Sequence, residues 1–193
     1  MAKMILVGDA ASGKSTFLRE LKKIRPDLNI FFEVGRQNIP VQIENNKFKS
    51  NLWFINYFYQ RDKKALNLPN LFLERDFYFQ YPFTETQFQT DLITAEQKKI
   101  IIKKMNRLTK GLPTDKDDLI IHLTCSNEII RKRLKNRGLT KTKNKDRYWD
   151  ILRAETEKYY SAKGDYFKLS ASALTKKEVS EKLTKLLKSK KFL

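Results

Sequence analysis

The chain is predicted to form an α/β fold, a parallel sheet covered by helices on both faces. Three observations carry that expectation. Short apolar runs at residues 4–7, 29–34, 70–76, 117–123 and 166–169 alternate with helix-patterned segments from end to end. The first run passes through a glycine-bounded loop straight into a helix. The second and third runs end in charge, at Glu33 and at Glu74-Arg75-Asp76, and strand ends are where such sheets bind ligands. The 193 residues suit one domain spanning 1–193, with no internal repeat, low-complexity linker or boundary.

Met4-Ile5-Leu6-Val7 reads as the first buried strand. Gly8-Asp9-Ala10-Ala11-Ser12-Gly13-Lys14-Ser15 follows and leads into a helix over about 14–24. This is a phosphate-binding loop in its full strand–loop–helix context. Gly8 and Gly13 permit backbone angles that a side chain resists. The loop N–H groups can then converge at a helix N-terminus, which favours anions. Gly8, Ala11, Ser12, Gly13, Lys14, Ser15 and Thr16 are the candidates for holding the triphosphate of ATP. Lys14 supplies charge to the outer phosphates, and Ser15 a hydroxyl for Mg²⁺.

Pro26-Asp27 marks a turn before the second strand, 29–34, and residues 35–40 form a loop. An aromatic-rich helix is expected over 48–64, with Trp53, Phe54, Tyr57, Phe58 and Tyr59. Most of these suit the core, and some suit a pocket for a flat ring. The third strand runs 70–76. Thr94-Ala95-Glu96-Gln97 is a capping box with Ile93 as a staple, which predicts a helix over 95–108. The fourth strand is 117–123, and Ser126 caps a helix over 127–137 whose Ile129, Ile130 and Leu134 face inward. Residues 131–145 carry eight basic side chains and no acidic one, and 138–145 read as a mobile loop. A helix over 146–161, a short strand at 166–169, and a second capping box at Thr175-Lys176-Lys177-Glu178 complete the chain. The final helix turns Val179, Leu183, Leu186 and Leu187 to one side.

The formal net charge of +18 favours anionic partners without choosing among them. Cys125 is the only cysteine, which excludes an internal disulfide, and its place after an apolar run suits the core. His122, the only histidine, lies within an apolar strand and reads as structural. No apolar run approaches ~20 residues, and Met1-Ala2-Lys3 leaves no room for a leader, so a cytosolic protein with no membrane partner is expected.

Phosphoryl transfer needs a metal, a charge clamp, an oriented acceptor and often a base. Glu74 is placed to help Ser15 hold Mg²⁺. Arg75 can stabilise the transferring phosphate or bind the acceptor. Glu33 can take the proton of an attacking hydroxyl. Asp76 fits either a shared metal role or a helix cap. Arg131, Arg133 and Arg137 belong to a basic lid segment at about 131–146 that can close over the triphosphate and exclude water. Phe31, Trp53, Tyr57 and Phe58 are the candidates for lining an acceptor pocket.

These residues resemble the deoxynucleoside kinase family, within the nucleoside and thymidylate kinase group. The resemblance rests on residues 8–15, Glu33, Leu71-Phe72-Leu73-Glu74-Arg75, the strand 118–123, and 128–138 with its arginines. It implies a three-layer α/β sandwich with a five-stranded parallel sheet, Mg-ATP as donor and a nucleoside 5′-hydroxyl as acceptor. It further implies Glu33 as base, Arg75 beside it, Arg133 and Arg137 as lid arginines, Arg61 near the base, and often a homodimer. The chain departs where the family reads the base: Phe54 or Asn56 replaces a glutamine, and Gln80 an acidic residue. Its lid continues with lysines rather than carboxylates. That departure keeps a thymidylate-like monophosphate kinase as the alternative acceptor class. A polynucleotide 5′-kinase, motivated by net charge, and a non-catalytic nucleotide switch are less favoured.

Overall fold

The computed structural model describes residues 3–35, 38–112, 117–139 and 145–193. Most of the mobile loop expected at 138–145 lies outside the described residues, as do Arg36 and Gln37 of the loop expected at 35–40. The sheet has five strands: β1 (Met4–Gly8), β2 (Asn29–Phe31), β3 (Leu71–Glu74), β4 (Leu119–Thr124) and β5 (Asp165–Ser170). Their order is β2-β3-β1-β4-β5, and every pairing is parallel. The chain therefore leaves the central β1 toward one edge and later returns to build the other side. The carboxyl end of β1 sits at that switch of direction, where open α/β sheets bind ligands.

Side-chain alternation along β1 divides the core. Met4 and Leu6 point to one face, where they join Phe17, Leu18 and Leu21 of α1 (Lys14–Ile24) and Val179, Leu183 and Leu187 of α8 (Lys176–Ser189). Ile5 and Val7 point to the other face and meet Phe79, Leu152 and Tyr160. Leu152 and Tyr160 belong to α7 (Asp146–Tyr160), which packs against α4 (Gln80–Gln89). Beyond that layer, α3 (Lys47–Ala65) and α5 (Ala95–Leu108) enclose a second apolar cluster around Ile55, Phe58, Phe77, Ile101 and Met105. Fully burying each such side chain is worth about 1.5–3 kcal/mol. Both capping boxes form. Thr94 and Gln97 satisfy each other's backbone N–H groups, as do Thr175 and Glu178. Ser126 caps α6 (Asn127–Lys135).

Two expected strands are shorter than their apolar runs. β2 is an edge strand, and its ladder with β3 ends at the Phe31–Leu73 pair. β3 stops at Glu74 because Arg75 takes a left-handed φ of 54°. Phe32, Glu33 and Val34 therefore run along the rim as irregular backbone. Some elements are invisible to hydrophobic periodicity: the short helix α2 (Val41–Glu44), a single turn at Phe77–Phe79, and α4. In α4 the buried set is Gln80, Pro82, Thr84, Thr86 and Gln87, so polar residues occupy the inward face. No described helix is long and apolar enough to cross a membrane.

Candidate active site

The loop after β1 is held by close backbone packing. Gly8 has φ +131°, and a Cβ there would come within 2.0 Å of the Leu123 carbonyl oxygen on β4. Gly13 precedes α1 in a left-handed conformation, and no side chain caps α1. The first-turn N–H groups are thus left for an anion, which fits the triphosphate. Lys14 is buried. Its Nζ donates to the carbonyls of Asp9 (2.7 Å) and Gly8 (3.2 Å) and approaches Ser12 Oγ at 3.5 Å. Burial, then the nearby Arg75 charge, lowers its pKa to about 8.

The three charged sets expected at the strand ends form one network. Ser15 Oγ donates to Glu74 Oε1 at 2.6 Å. The other Glu74 oxygen accepts from the Glu33 backbone N–H at 3.4 Å. Arg75 pairs with the Glu33 carboxylate through Nη1 and donates through Nη2 to the Gly8 carbonyl at 2.9 Å. Its guanidinium lies 4.3 Å from the Phe79 ring centroid. Arg75 Nε is buried with no partner among the described residues. Glu33 and Arg75 thereby reach the first residue of the phosphate loop.

Asp76 stands apart from this rim. Its carboxylate caps the turn at Phe77–Phe79, accepting from the Phe79 N–H at 3.2 Å, and it accepts from the Tyr160 hydroxyl. Burial, then the nearby Asp62 charge, raises its pKa to about 6. Of its two expected roles, the cap is the one the geometry displays.

Arg61 is a brace for the rim. It donates to the carbonyls of Phe32 and Glu74 at 3.2 Å each, to the Arg75 carbonyl, and to Asp62. These bonds hold the ends of β2 and β3 together from α3, with the guanidinium 4.6 Å from the Phe58 ring centroid. Phe31 packs against Ala65, Leu71 and Leu73. Trp53 stacks on Tyr57 with centroids 5.6 Å apart, and Tyr57 meets Phe58 edge-on. An open cleft of about 260 Å³ lies between α3 and α4, lined by Asn51, Phe54, Phe83 and Gln87 among others. None of the four residues singled out for the acceptor, Phe31, Trp53, Tyr57 and Arg61, lines it.

The basic segment also reaches the phosphate loop. Arg133 on α6 donates to the carbonyls of Ala11 (3.1 Å) and Ala171 (3.3 Å), while Arg137 is exposed. Arg153 on α7 is not among the residues expected at the site, yet it holds the same loop. Its Nε donates to Asp9 Oδ2 at 3.0 Å, and that oxygen also accepts from the Cys125 N–H at 2.7 Å. Asp9 is 2% exposed. An acidic residue inside an anion-binding loop was the clue, because a buried carboxylate requires a partner. Cys125 is buried, with its thiol pKa raised by burial. His122 is buried beside Tyr166, its Nδ1 2.7 Å from the hydroxyl, and burial pushes its pKa down to about 3. It is therefore a neutral core residue.

Comparison with known proteins gives a consistent result. The deoxynucleoside kinase family model matches residues 5–191. A deoxyguanosine kinase from Lactobacillus johnsonii is 27% identical over 146 residues, covering 72% of this chain. The match spans 65% of that relative's own length. Among solved structures, a deoxyadenosine kinase from M. mycoides with dCMP and a flexible dCDP bound superposes with a TM-score of 0.80 at 22% identity, over 97% of this chain and 99% of that one. The same enzyme with dATP bound gives 0.79 at 21% identity, over 96% and 99%. These likenesses establish the fold, and the family match establishes the lineage. The chain belongs to the deoxynucleoside kinase family.

Proposed function

We propose that this protein transfers the terminal phosphate of ATP to the 5′-hydroxyl of a deoxynucleoside. The observation that carries the reading is the Glu33–Arg75–Gly8 connection, which sets a carboxylate and a guanidinium beside the phosphate loop. The names of its relatives, deoxyguanosine and deoxyadenosine kinases, support the acceptor class.

Each residue then has a task. The α1 N-terminus and Lys14 bind the phosphates. Ser15 and Glu74 are the residues that would hold Mg²⁺. When bound, the ion supplies charge neutralisation on the phosphates. Glu33 takes the proton of the 5′-hydroxyl as its oxygen attacks the terminal phosphorus, and ADP leaves. Arg75 holds the Glu33 carboxylate in place and faces the charge of the moving phosphate. Arg133 and Arg137 serve from the basic segment at 131–146, within one kinase domain spanning 1–193. A monophosphate acceptor is less well served, because the Glu33 carboxylate on the rim repels a second anion.

ADP release from Mg-ATP, measured with nucleosides, deoxynucleosides, their monophosphates and a short 5′-hydroxyl oligonucleotide, tests the reading. Stimulation by deoxynucleosides is expected, with Glu33→Gln lowering turnover at least 100-fold while ATP still binds. Stimulation by monophosphates alone would move the protein to the monophosphate kinases.

A further inference from the structure

Two aromatic ladders lead from the catalytic rim to the cleft between α3 and α4. Phe79, the residue before α4, lies under the Arg75 guanidinium, and Phe83 on α4 lies one turn on, with centroids 6.4 Å apart. On α3, Phe58 lies under Arg61 and Phe54 lies one turn away, also at 6.4 Å. Phe54 and Phe83 both line the cleft. Each ladder thus begins at an arginine of the rim and ends at the cleft wall.

Asn51 and Gln87 also line that wall, one from each helix. The Asn51 amide donates to the Gln87 amide oxygen at 2.5 Å, and both side chains are buried. The chemistry of the pair follows from counting groups. Two primary amides joined by one such bond leave one carbonyl and one amine wholly unengaged, an acceptor and a donor to offer. The count is the same whichever amide donates. Gln80 and Thr84 are buried on the same side of α4, at helical spacing from Gln87. The Thr84 hydroxyl is buried without a partner among the described residues. The cleft is also lined by Ile39, Glu44, Lys47 and Ser50, and its amide pair beside two aromatic rings suits a flat heterocycle with hydrogen-bonding edges.

We propose that the Asn51–Gln87 amide pair is the base-reading element of this enzyme, receiving the heterocycle of the nucleoside between Phe54 and Phe83. The inference rests on the nucleoside kinase reading. An uncharged base that offers a donor and an acceptor side by side satisfies both free groups of the pair. Changing one of those groups changes which base fits. Gln87→Glu keeps the side-chain shape and an oxygen to accept from Asn51, but replaces the offered amine by a second acceptor. Guanine presents two adjacent donors, its ring N1–H and its exocyclic amine, and is the base that two acceptors favour.

The test compares kcat/KM for deoxyguanosine and deoxyadenosine with Mg-ATP, in the wild type and in Gln87→Glu. The ratio of deoxyguanosine to deoxyadenosine is expected to rise about tenfold or more in the variant. KM for ATP should stay unchanged. Phe83→Ala should raise KM for every nucleoside without moving the ratio, since a stacking ring carries little donor–acceptor information. A ratio unmoved in a folded Gln87→Glu overturns the proposal. Asn51→Asp checks it independently if Gln87→Glu fails to fold, because it too must shift the ratio. A wild type stimulated by no nucleoside would instead remove the kinase reading, a result distinct from activity with an unmoved ratio.

Discussion

Ser15 and Glu74 lie 59 residues apart in the chain and 2.6 Å apart in the structure, joined by a hydroxyl–carboxylate hydrogen bond. The bond brings the helix end of the phosphate loop onto the end of β3. A hydroxyl and a carboxylate are hard oxygen donors of the kind Mg²⁺ takes. Ser15→Ala and Glu74→Gln are each expected to raise the Mg²⁺ concentration needed for half-maximal activity by about tenfold. Titrating Mg²⁺ at fixed ATP checks this, and an unchanged requirement in both variants counts against the metal role.

Lys14 enters its site at a cost. Burial lowers its pKa to about 8, below the unfolded value of 10.5. Between those values the unfolded chain holds more protons, so this group's contribution to ligand-free stability rises as pH increases from about 8 to about 10.5. A bound triphosphate restores the preference for the charged form. ATP binding at pH 8.5 is therefore expected to take up protons, and Lys14→Met to abolish that uptake. Calorimetry in two buffers of different ionisation enthalpy measures the proton count directly.

Asp9 and Arg153 form an ion pair that fastens the phosphate loop to α7. Asp9 is almost fully buried, while the Arg153 side chain keeps 21% exposure. Deleting Arg153 leaves the buried Asp9 carboxylate with the Cys125 N–H but without its counter-charge, whereas Arg153 without Asp9 keeps Asp150, Asn127 and the Cys125 carbonyl. Asp9→Asn and Arg153→Gln should each raise KM for ATP several-fold. Their stability losses should be less than additive in the double variant, with a coupling on the order of 0.5–3 kcal/mol. Thermal melts of the four proteins give that number.

Asp76 carries a charge in a place that disfavours one. Its pKa is raised from 3.8 to about 6, so the folded protein binds more protons than the unfolded chain across that window. Stability from this group falls as pH rises through it and stays low above it. Asp76→Asn keeps an oxygen for Phe79 N–H and Tyr160, and removes the charge. It should stabilise the protein at pH 7 by about 1–3 kcal/mol, with the gain shrinking as pH falls from 6 toward 4. Denaturant melts at the two ends of that range are sufficient.

The fold was legible wherever a local rule set the structure. The capping boxes at Thr94 and Thr175 open α5 and α8 at the expected residues, because a side chain and a backbone N–H three residues apart settle the matter locally. The phosphate loop was legible for the same reason. Arg75 and Glu33 meet just past the ends of β3 and β2, because strand ends in a parallel sheet converge. What was not legible depended on partners distant in sequence. Arg61 carries the charge expected of a ligand contact, yet spends its donors on backbone carbonyls of two strand ends. Arg153 meets Asp9 across 144 residues. The α4 stripe of Gln80, Thr84 and Gln87 hides its helix because its buried face is polar, and polar residues read as surface until a partner is known.

The most direct test of the central claim is the identity of the product when the purified protein is given Mg-ATP and a deoxynucleoside. Phosphorus NMR should show a deoxynucleoside 5′-monophosphate and ADP appearing in equal amounts, with none formed from a 5′-deoxy analogue that lacks the hydroxyl. ATP consumed at the same rate with that analogue, or phosphate appearing only as inorganic phosphate, would contradict transfer to the 5′-hydroxyl and with it the role given to Glu33.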